Sequence, residues 1–94
     1  MGGGKGPGLF SGTVGSRPTF PGNDPMRSPG PGFEWRGRGD VRSQRGNWYN
    51  PRTNEYWRAD LNHPPPIGPH WDWRAPDGTR WRVFPDGRME RTGR

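Results

Sequence analysis

The chain has 94 residues, of which 24% are hydrophobic, 17 are glycine and 13 are proline, so it can form one small domain at most. It has no cysteine, which excludes a disulfide framework and a thiolate metal site. The net charge of +6 favours polyanionic partners, whereas no apolar run approaches the roughly 18 residues of a membrane helix. We therefore expect nucleic acid or an acidic protein as partner, and no membrane.

Residues 1–32 are dominated by glycine and proline, and their apolar side chains follow neither a helical nor a strand period. This composition predicts an arm or linker that wraps the following domain and does not fold independently. The amino-acid composition changes at residue 33, and five of the six tryptophans follow residue 40. We therefore place the single boundary after residue 32, with a domain over residues 33–94.

The first part of this domain contains a predicted strand and a predicted hairpin. Residues 33–36 alternate apolar and polar side chains, as a short strand does, and a basic loop bounded by glycine follows at 37–46. The turn sequence Pro-Arg-Thr-Asn at 51–54 separates two aromatic segments, which favours a hairpin over residues 47–59. A short helix over residues 54–60 is the alternative.

Three further segments predict a three-stranded antiparallel meander. Residues 70–74, 79–84 and 88–91 are separated by two turns of sequence Pro-Asp-Gly. The predicted fold class is therefore mostly β, or α+β with at most one short helix: a small antiparallel β-meander behind a glycine- and proline-rich arm.

The six tryptophans are expected to supply most of the core, because each buries on the order of 150–250 Å². In the middle strand of the meander, Trp81 and Val83 share one face, and Arg80, Arg82 and Phe84 share the other. A tryptophan on the basic face could instead stack on a nucleobase, and Trp71 is the candidate for that role.

Both histidines of the chain lie in one proline-rich segment. His63 and His70 are flanked by Asp60 and Asp72, with three consecutive prolines and a Gly-Pro pair between the histidines. Proline fixes φ and removes a backbone donor, which excludes a helix interior and a central strand. The segment is therefore predicted to be a stiff extended loop that holds two imidazoles in a nearly fixed relation.

This arrangement suits cleavage of RNA by general acid–base catalysis without a metal. Histidine can give and take protons near neutral pH, and Asp60 or Asp72 could fix the tautomer of an imidazole. The reaction also needs a cation for the charge that develops on phosphate. The arginine candidates for that role are Arg58, Arg74, Arg80 and Arg82.

Two other interpretations of the histidines stay open. The first is a divalent-metal site formed by His63, His70 and Asp72, of the two-histidine, one-carboxylate kind used in hydrolysis. The second is structural, with both rings bonded to backbone carbonyls that the prolines leave free. The sequence contains no phosphate-binding loop, dinucleotide fingerprint or nucleophilic serine motif, so no organic cofactor is expected.

Four segments resemble the C-terminal toxin domains of bacterial polymorphic toxins, specifically polymorphic toxin type 37. They are Gly-Asn-Trp-Tyr-Asn-Pro at 46–51, Asp-Leu-Asn-His-Pro at 60–64, Pro-Ile-Gly-Pro-His-Trp-Asp at 66–72 and Trp-Arg-Val-Phe-Pro-Asp-Gly at 81–87. The resemblance spans roughly residues 33–89. The glycine-rich start fits a cut just beyond the delivery portion of a longer effector.

The resemblance implies an interbacterial toxin carried by a secreted effector of the Rhs, contact-dependent or LXG type. Such a toxin would act in the cytoplasm of the target cell and would be neutralised by a cognate immunity protein, which we expect to be acidic. Many small basic toxin domains are nucleases. We therefore expect an endonuclease, with a metal-independent RNase favoured over a metal-dependent DNase. The rivals are a non-catalytic nucleic-acid or protein-binding module and a toxin that modifies a nucleotide or protein.

Overall fold

The computed structural model of the protein describes residues 17–39 and 45–93. They form one antiparallel sheet in which each strand pairs with the next in chain order. The strands are β1 (Glu34–Gly37), β2 (Gly46–Asn50), β3 (Glu55–Asp60), β4 (His70–Arg74), β5 (Arg80–Val83) and β6 (Met89–Thr92). The predicted mostly-β meander is confirmed. The alternative helix over 54–60 is wrong, because β3 occupies those residues.

The turns form where the sequence predicted them. At both Pro-Asp-Gly turns the glycine has a positive φ, 89° at Gly78 and 90° at Gly87, which a side chain would strain. Each glycine donates its N–H across the turn, to the Ala75 or Phe84 carbonyl, at 2.9 Å. In the β2–β3 turn Asn54 takes the left-handed conformation, with a φ of 65°, which asparagine tolerates better than most residues. Local sequence therefore determines these three connections.

The register places all six tryptophans on one side of the sheet, which we call the Trp face. Five of them are direct cross-strand neighbours in one row over β1 to β5, and Trp71 lies in the adjacent row with Ala59, Val83 and Met89. The row consists of Trp35, Trp48, Trp57, Trp73 and Trp81. Because side chains alternate along a strand, the intervening charged and tyrosine residues lie on the opposite side, which we call the polar face.

The centre of the Trp face is the hydrophobic core. Trp71 and Val83 are fully buried, and Trp57 and Trp73 nearly so. The Trp57 ring stacks on Trp73 with centroids 5.6 Å apart and meets Trp71 edge-on at 6.3 Å. Both are preferred geometries for aromatic pairs. Trp81 and Met89 complete the core at its margin.

Residues 17–32 lie over the Trp face. The indole N–H of Trp71 donates to the Gly22 carbonyl at 2.8 Å, and that of Trp48 donates to the Pro25 carbonyl at 3.3 Å. Phe20 packs against the core from the same segment. The segment thus gives buried indole donors their acceptors. Residues 1–16 of the predicted arm and residues 40–44 of the predicted basic loop lie outside the described residues, and the boundary after residue 32 stays a prediction.

Candidate functional site

The candidate site lies on the polar face, where β3 ends and β4 begins. Asp60 and His70 are direct cross-strand partners there. The loop 61–69 leaves the sheet after Asp60 and returns to it at His70. Gly68 has a φ of 79°, which allows the chain to turn back into β4. The loop therefore brings His63 back beside the strand pair. The predicted extended loop is a correction, because Asp60 and His70 belong to inner strands of the sheet and residues 61–69 contain turns, one closed by the Gly68 N–H donating to the Pro64 carbonyl at 3.2 Å.

His70 is held on both ring nitrogens and is only 1% exposed. Its Nδ1 lies 2.9 Å from the Gly68 carbonyl oxygen, which can only accept, so Nδ1 carries a hydrogen and donates it. Its Nε2 lies 3.3 Å from an Asp72 carboxylate oxygen and 3.5 Å from an Asp60 oxygen. The Phe84 ring packs beside it, with centroids 5.6 Å apart. Because Nδ1 already carries a hydrogen, Nε2 pairs with the two carboxylates when the ring is the imidazolium, with a hydrogen on both nitrogens. In that form His70 links Asp60 and Asp72, and it has almost no free surface.

His63 is the accessible imidazole of the pair. Its Nδ1 lies 2.8 Å from Asp60 Oδ2, and the side chain is 32% exposed. Since a carboxylate accepts, Nδ1 donates its hydrogen to Asp60, which leaves Nε2 without one in the neutral ring. Within residues 17–39 and 45–93, no side chain or backbone group bonds to that Nε2. The His63 and His70 ring centroids are 5.3 Å apart.

Arg58 extends this arrangement along β3. Its guanidinium lies 3.5 Å from Asp72 Oδ2, and its side chain is 52% exposed. Five residues thus form a continuous series of hydrogen bonds and ion pairs, in the order His63, Asp60, His70, Asp72 and Arg58. We call this series the ion-pair chain. Its centre is buried, and its two ends, an imidazole and a guanidinium, face solvent.

Comparison with known proteins identifies the family. The sequence matches the family model described as bacterial toxin 37 over residues 15–87, which is most of the chain. The chain belongs to the bacterial toxin 37 family. No match was found among curated proteins or among solved structures. The toxin resemblance noted in the sequence is thereby confirmed, and it points to a secreted or delivered effector.

The matched range contains the whole ion-pair chain of this toxin domain. It also contains residues 17–32, which cover the Trp face, and every strand except β6. No helix that could cross a membrane occurs among residues 17–39 and 45–93. The family match therefore covers both sides of the sheet.

The structure brings together all four residues predicted to be catalytic, Asp60, His63, His70 and Asp72, but it separates the predicted substrate contacts. Arg58 and Arg82 flank Asp72 in one cross-strand row, although Arg82 lies 3.6 Å from Glu90. Arg74 and Arg80 lie in the next row. Trp71 is a correction: it is fully buried on the Trp face, with its indole N–H bonded to Gly22, so it is a core residue and not a base-stacking surface.

The candidate site also includes residues that the sequence interpretation missed. Tyr49 and Tyr56 lie on the polar face beside the arginines, and Phe84 packs against His70. The alternation of side chains along a strand could have identified Tyr56. Tyr56, Arg58 and Asp60 occupy every second position of β3 and therefore share a face. Phe84 lies just beyond β5, so its contact with His70 depends on how the β5–β6 turn folds back.

A metal set in this toxin would differ from the one predicted. The ligand atoms of Asp60, His63 and His70 lie within 4.8 Å of one another, so Asp60 and not Asp72 joins the two histidines. Two histidines and one carboxylate form a common set for divalent transition metals. A metal-ligating histidine usually donates its other N–H to a carbonyl or carboxylate, as His70 Nδ1 does to Gly68. The donor chemistry thus fits a metal as well as an ion-pair chain.

Proposed function

We propose that this toxin domain is an endonuclease that cleaves RNA without a metal ion, using the 2′-hydroxyl of RNA as the nucleophile. One observation carries the proposal: Asp60 orients a His63 side chain that is 32% exposed, and the Nε2 of that ring has no partner among the described residues. The net charge of +6 supports a nucleic-acid substrate. The substrate would be RNA in the cytoplasm of the target cell.

His63 moves the protons in this mechanism. Its Nε2 accepts the proton of the 2′-hydroxyl, and the 2′-oxygen attacks the adjacent phosphorus. The same nitrogen, now protonated, returns the proton to the departing 5′-oxygen when the P–O5′ bond breaks. The products are a 2′,3′-cyclic phosphate and a free 5′-hydroxyl. The carboxylate of Asp60 stabilises the imidazolium that forms between the two transfers.

Arg58 is the first phosphate contact in the proposal. It lies two residues before Asp60 on the same strand and the same face, about 7 Å along β3. Its side chain is half exposed, and its ion pair with Asp72 is long, at 3.5 Å, so the guanidinium can bind a phosphate oxygen without leaving the site. The negative charge of the pentacoordinate phosphorus is stabilised there.

We assign His70 a positioning role, because a ring that is 1% exposed cannot reach a substrate. It holds Asp60, which orients His63, and Asp72, which orients Arg58. This division of roles differs from the expectation that both histidines act directly on RNA. Replacing His70 is therefore expected to disturb both ends of the ion-pair chain at once.

The test is cleavage of total RNA and of plasmid DNA by the purified protein, each with and without EDTA. We expect RNA loss that persists in EDTA, with 2′,3′-cyclic phosphate ends, and no loss of DNA. His63→Ala should reduce the rate by about 10²- to 10⁴-fold. Asn62→Ala is the matched control, since Asn62 is an exposed neighbour on the same loop, and it should retain the activity. An unchanged rate in His63→Ala would overturn the mechanism.

The second candidate function is a metal-dependent DNase, favoured by the convergence of Asp60, His63 and His70. Cleavage of DNA that requires an added divalent cation and is abolished by EDTA would support it over the RNase. The rival from another class is a binding module. If the protein is a binding module, the wild type, His63→Ala and His70→Ala would bind nucleic acid equally well. All three would also have the same effect on cells.

We also propose that the cognate immunity protein is acidic and covers His63 and Arg58. Occlusion of the exposed ends of the ion-pair chain and attraction to a chain with a net charge of +6 both favour fast, tight inhibition. The prediction is an association rate that falls steeply with salt and a complex in which His63 loses its solvent exposure. A complex that leaves His63 and Arg58 exposed would contradict it.

A further inference from the structure

A second row of residues crosses the polar face beside the ion-pair chain. Tyr49 pairs with Tyr56, Tyr56 with Arg74, and Arg74 with Arg80, so four consecutive strands each place one of these side chains in line. We call these four residues the Tyr–Arg row. On β3, Tyr56 precedes Arg58 by two residues and Asp60 by four, which is about 7 and 13 Å along the strand.

The two arginines of the row form an uncompensated pair of charges. They lie directly opposite each other on adjacent strands, an arrangement of like charges that destabilises a sheet. Within residues 17–39 and 45–93, neither has a salt bridge or hydrogen bond from its side chain. Other arginines of the polar face have acidic partners, for example Arg58 with Asp72 and Arg82 with Glu90. An anion bound between Arg74 and Arg80 would offset this repulsion.

Tyr56 is the open aromatic ring of the row. It is half-buried, and among the described residues it has no hydrogen bond, ring contact or cation contact from its side chain. Tyr49 differs, because the Arg36 guanidinium lies 4.5 Å from its ring centroid and its hydroxyl donates to Asn54 at 2.6 Å. Tyr56 is therefore partly exposed and has a side chain without a partner among the described residues, while its neighbour is already engaged.

We propose that Tyr56, Arg74 and Arg80 form a subsite for a nucleotide next to the cleavage site, in single-stranded RNA. The base stacks on Tyr56, and the attached phosphate binds between the two arginines. This inference rests on the proposed function. It adds that the toxin needs an unpaired base beside the scissile bond, because a base within a duplex cannot stack on a side chain. Stacking tolerates any base, so the subsite sets strandedness and minimum length, not sequence.

The test measures binding separately from cleavage. A labelled RNA octanucleotide is titrated into His63→Ala protein, alone and combined with a second substitution, at several salt concentrations. Tyr56→Ser should weaken binding by about fivefold to about a hundredfold, the range for a lost stacking ring, whereas Tyr56→Phe should bind within about twofold of the parent. Arg74→Gln and Arg80→Gln should each lower the slope of log K against log salt by about 0.7.

Arg27→Gln is the matched control for charge, since it removes one exposed arginine from the segment over the opposite face. It should leave the affinity close to that of the parent. Equal losses for Arg27→Gln and Arg74→Gln would mean that only net charge matters and would overturn the subsite. So would unchanged binding in Tyr56→Ser, or competition by an acidic polypeptide as strong as that by RNA. Thermal melts of each variant confirm that it is folded.

Cleavage then separates the subsite from the proposed function. In protein with His63 intact, Arg74→Gln and Arg80→Gln should lower kcat/KM for the octanucleotide and leave it unchanged for a dinucleoside monophosphate, whose single phosphate is the one that is cleaved. Equal losses on both substrates would overturn the subsite while the RNase stands. If wild type cleaves neither substrate but the Tyr56 and arginine variants lose affinity, the proposed function fails and the nucleotide site stands.

Discussion

The two faces of the sheet are built from the same strands and have opposite chemistry. In β4, His70 and Trp71 are adjacent in sequence and both are buried, with exposures of 1% and 0%. Trp71 points into an aromatic core, whereas His70 points into a cluster of carboxylates. Because successive side chains alternate, one strand supplies a core residue and a residue of the candidate site at consecutive positions.

This contrast indicates which face stabilises the domain. Burial of large aromatic rings is the main favourable term available to a chain with so few aliphatic residues. Ion pairs contribute less, since desolvation offsets much of their Coulomb attraction when they are buried. Substitutions on the Trp face should therefore act on stability, and those at the exposed ends of the ion-pair chain should act on function.

Trp71→Ala should produce the largest effect. The ring is fully buried, and truncation of such a side chain costs about 3–5 kcal/mol, a large part of the stability of a small domain. Urea denaturation at 37 °C, monitored by circular dichroism, should show that the variant is largely unfolded even without urea. Trp35→Ala is the matched control, because Trp35 lies on the edge strand and is half-exposed, and it should lose clearly less. Equal losses would mean that the core is not centred on Trp71.

Removal of residues 1–32 tests whether the predicted domain over 33–94 is complete. The truncated chain would lose the Gly22 and Pro25 acceptors of two indoles and the packing of Phe20. At about 1 kcal/mol for each hydrogen bond and about 2 kcal/mol for the ring, it should be about 4 kcal/mol less stable. Phe20→Ala should account for about half of that loss. Met26→Ala, at a 45% exposed position of the same segment, should cost little.

A truncated chain with the melting temperature of the full protein would contradict this prediction. Residues 17–32 would then be dispensable for the fold, and the boundary predicted after residue 32 would be supported. Loss of cooperative melting would instead place these residues inside the domain.

Within the polar face, His70→Ala and His63→Ala should differ in their effect on stability. Loss of His70 leaves Asp60 and Asp72 facing each other with no donor between them, which should cost about 1–3 kcal/mol. Loss of the half-exposed His63 should change stability by about 0.5 kcal/mol or less. Both should reduce RNA cleavage. Chemical denaturation of the two variants is the measurement, and equal destabilisation would contradict the positioning role of His70.

Asp77→Asn should produce the smallest effect. The Thr79 hydroxyl donates to Asp77 at 2.6 Å and, with the Thr79 N–H, holds the pKa of the carboxyl below its ordinary value of 3.8. Because the folded state has the lower pKa, this carboxylate stabilises the protein above the unfolded pKa, and that contribution is lost as the pH falls through the folded pKa. Melts between about pH 2 and 6 should therefore show a flatter acid dependence in the variant. An identical profile would contradict the prediction.

Local sequence was sufficient for the strands and turns of this protein. The two Pro-Asp-Gly turns and the aromatic alternation around them predicted β4, β5 and β6, and the turn at 51–54 predicted the β2–β3 hairpin. These features depend on φ preferences and on a side-chain period of two, both of which act over a few residues. Proline in the loop 61–69 predicted an extended segment, whereas the chain turns there and brings the two histidine rings to 5.3 Å from each other.

Tertiary structure alone decided which residues face each other across the loop 61–69. The pairing of β3 with β4 sets Asp60 opposite His70 and Tyr56 opposite Arg74, and local sequence does not encode that register. The same pairing buries His70 and brings Asp60, rather than Asp72, into the possible metal set. It also places Trp71 in the core. The sequence by itself determined the elements and the toxin family, whereas long-range pairing determined the burial and partners of the site residues.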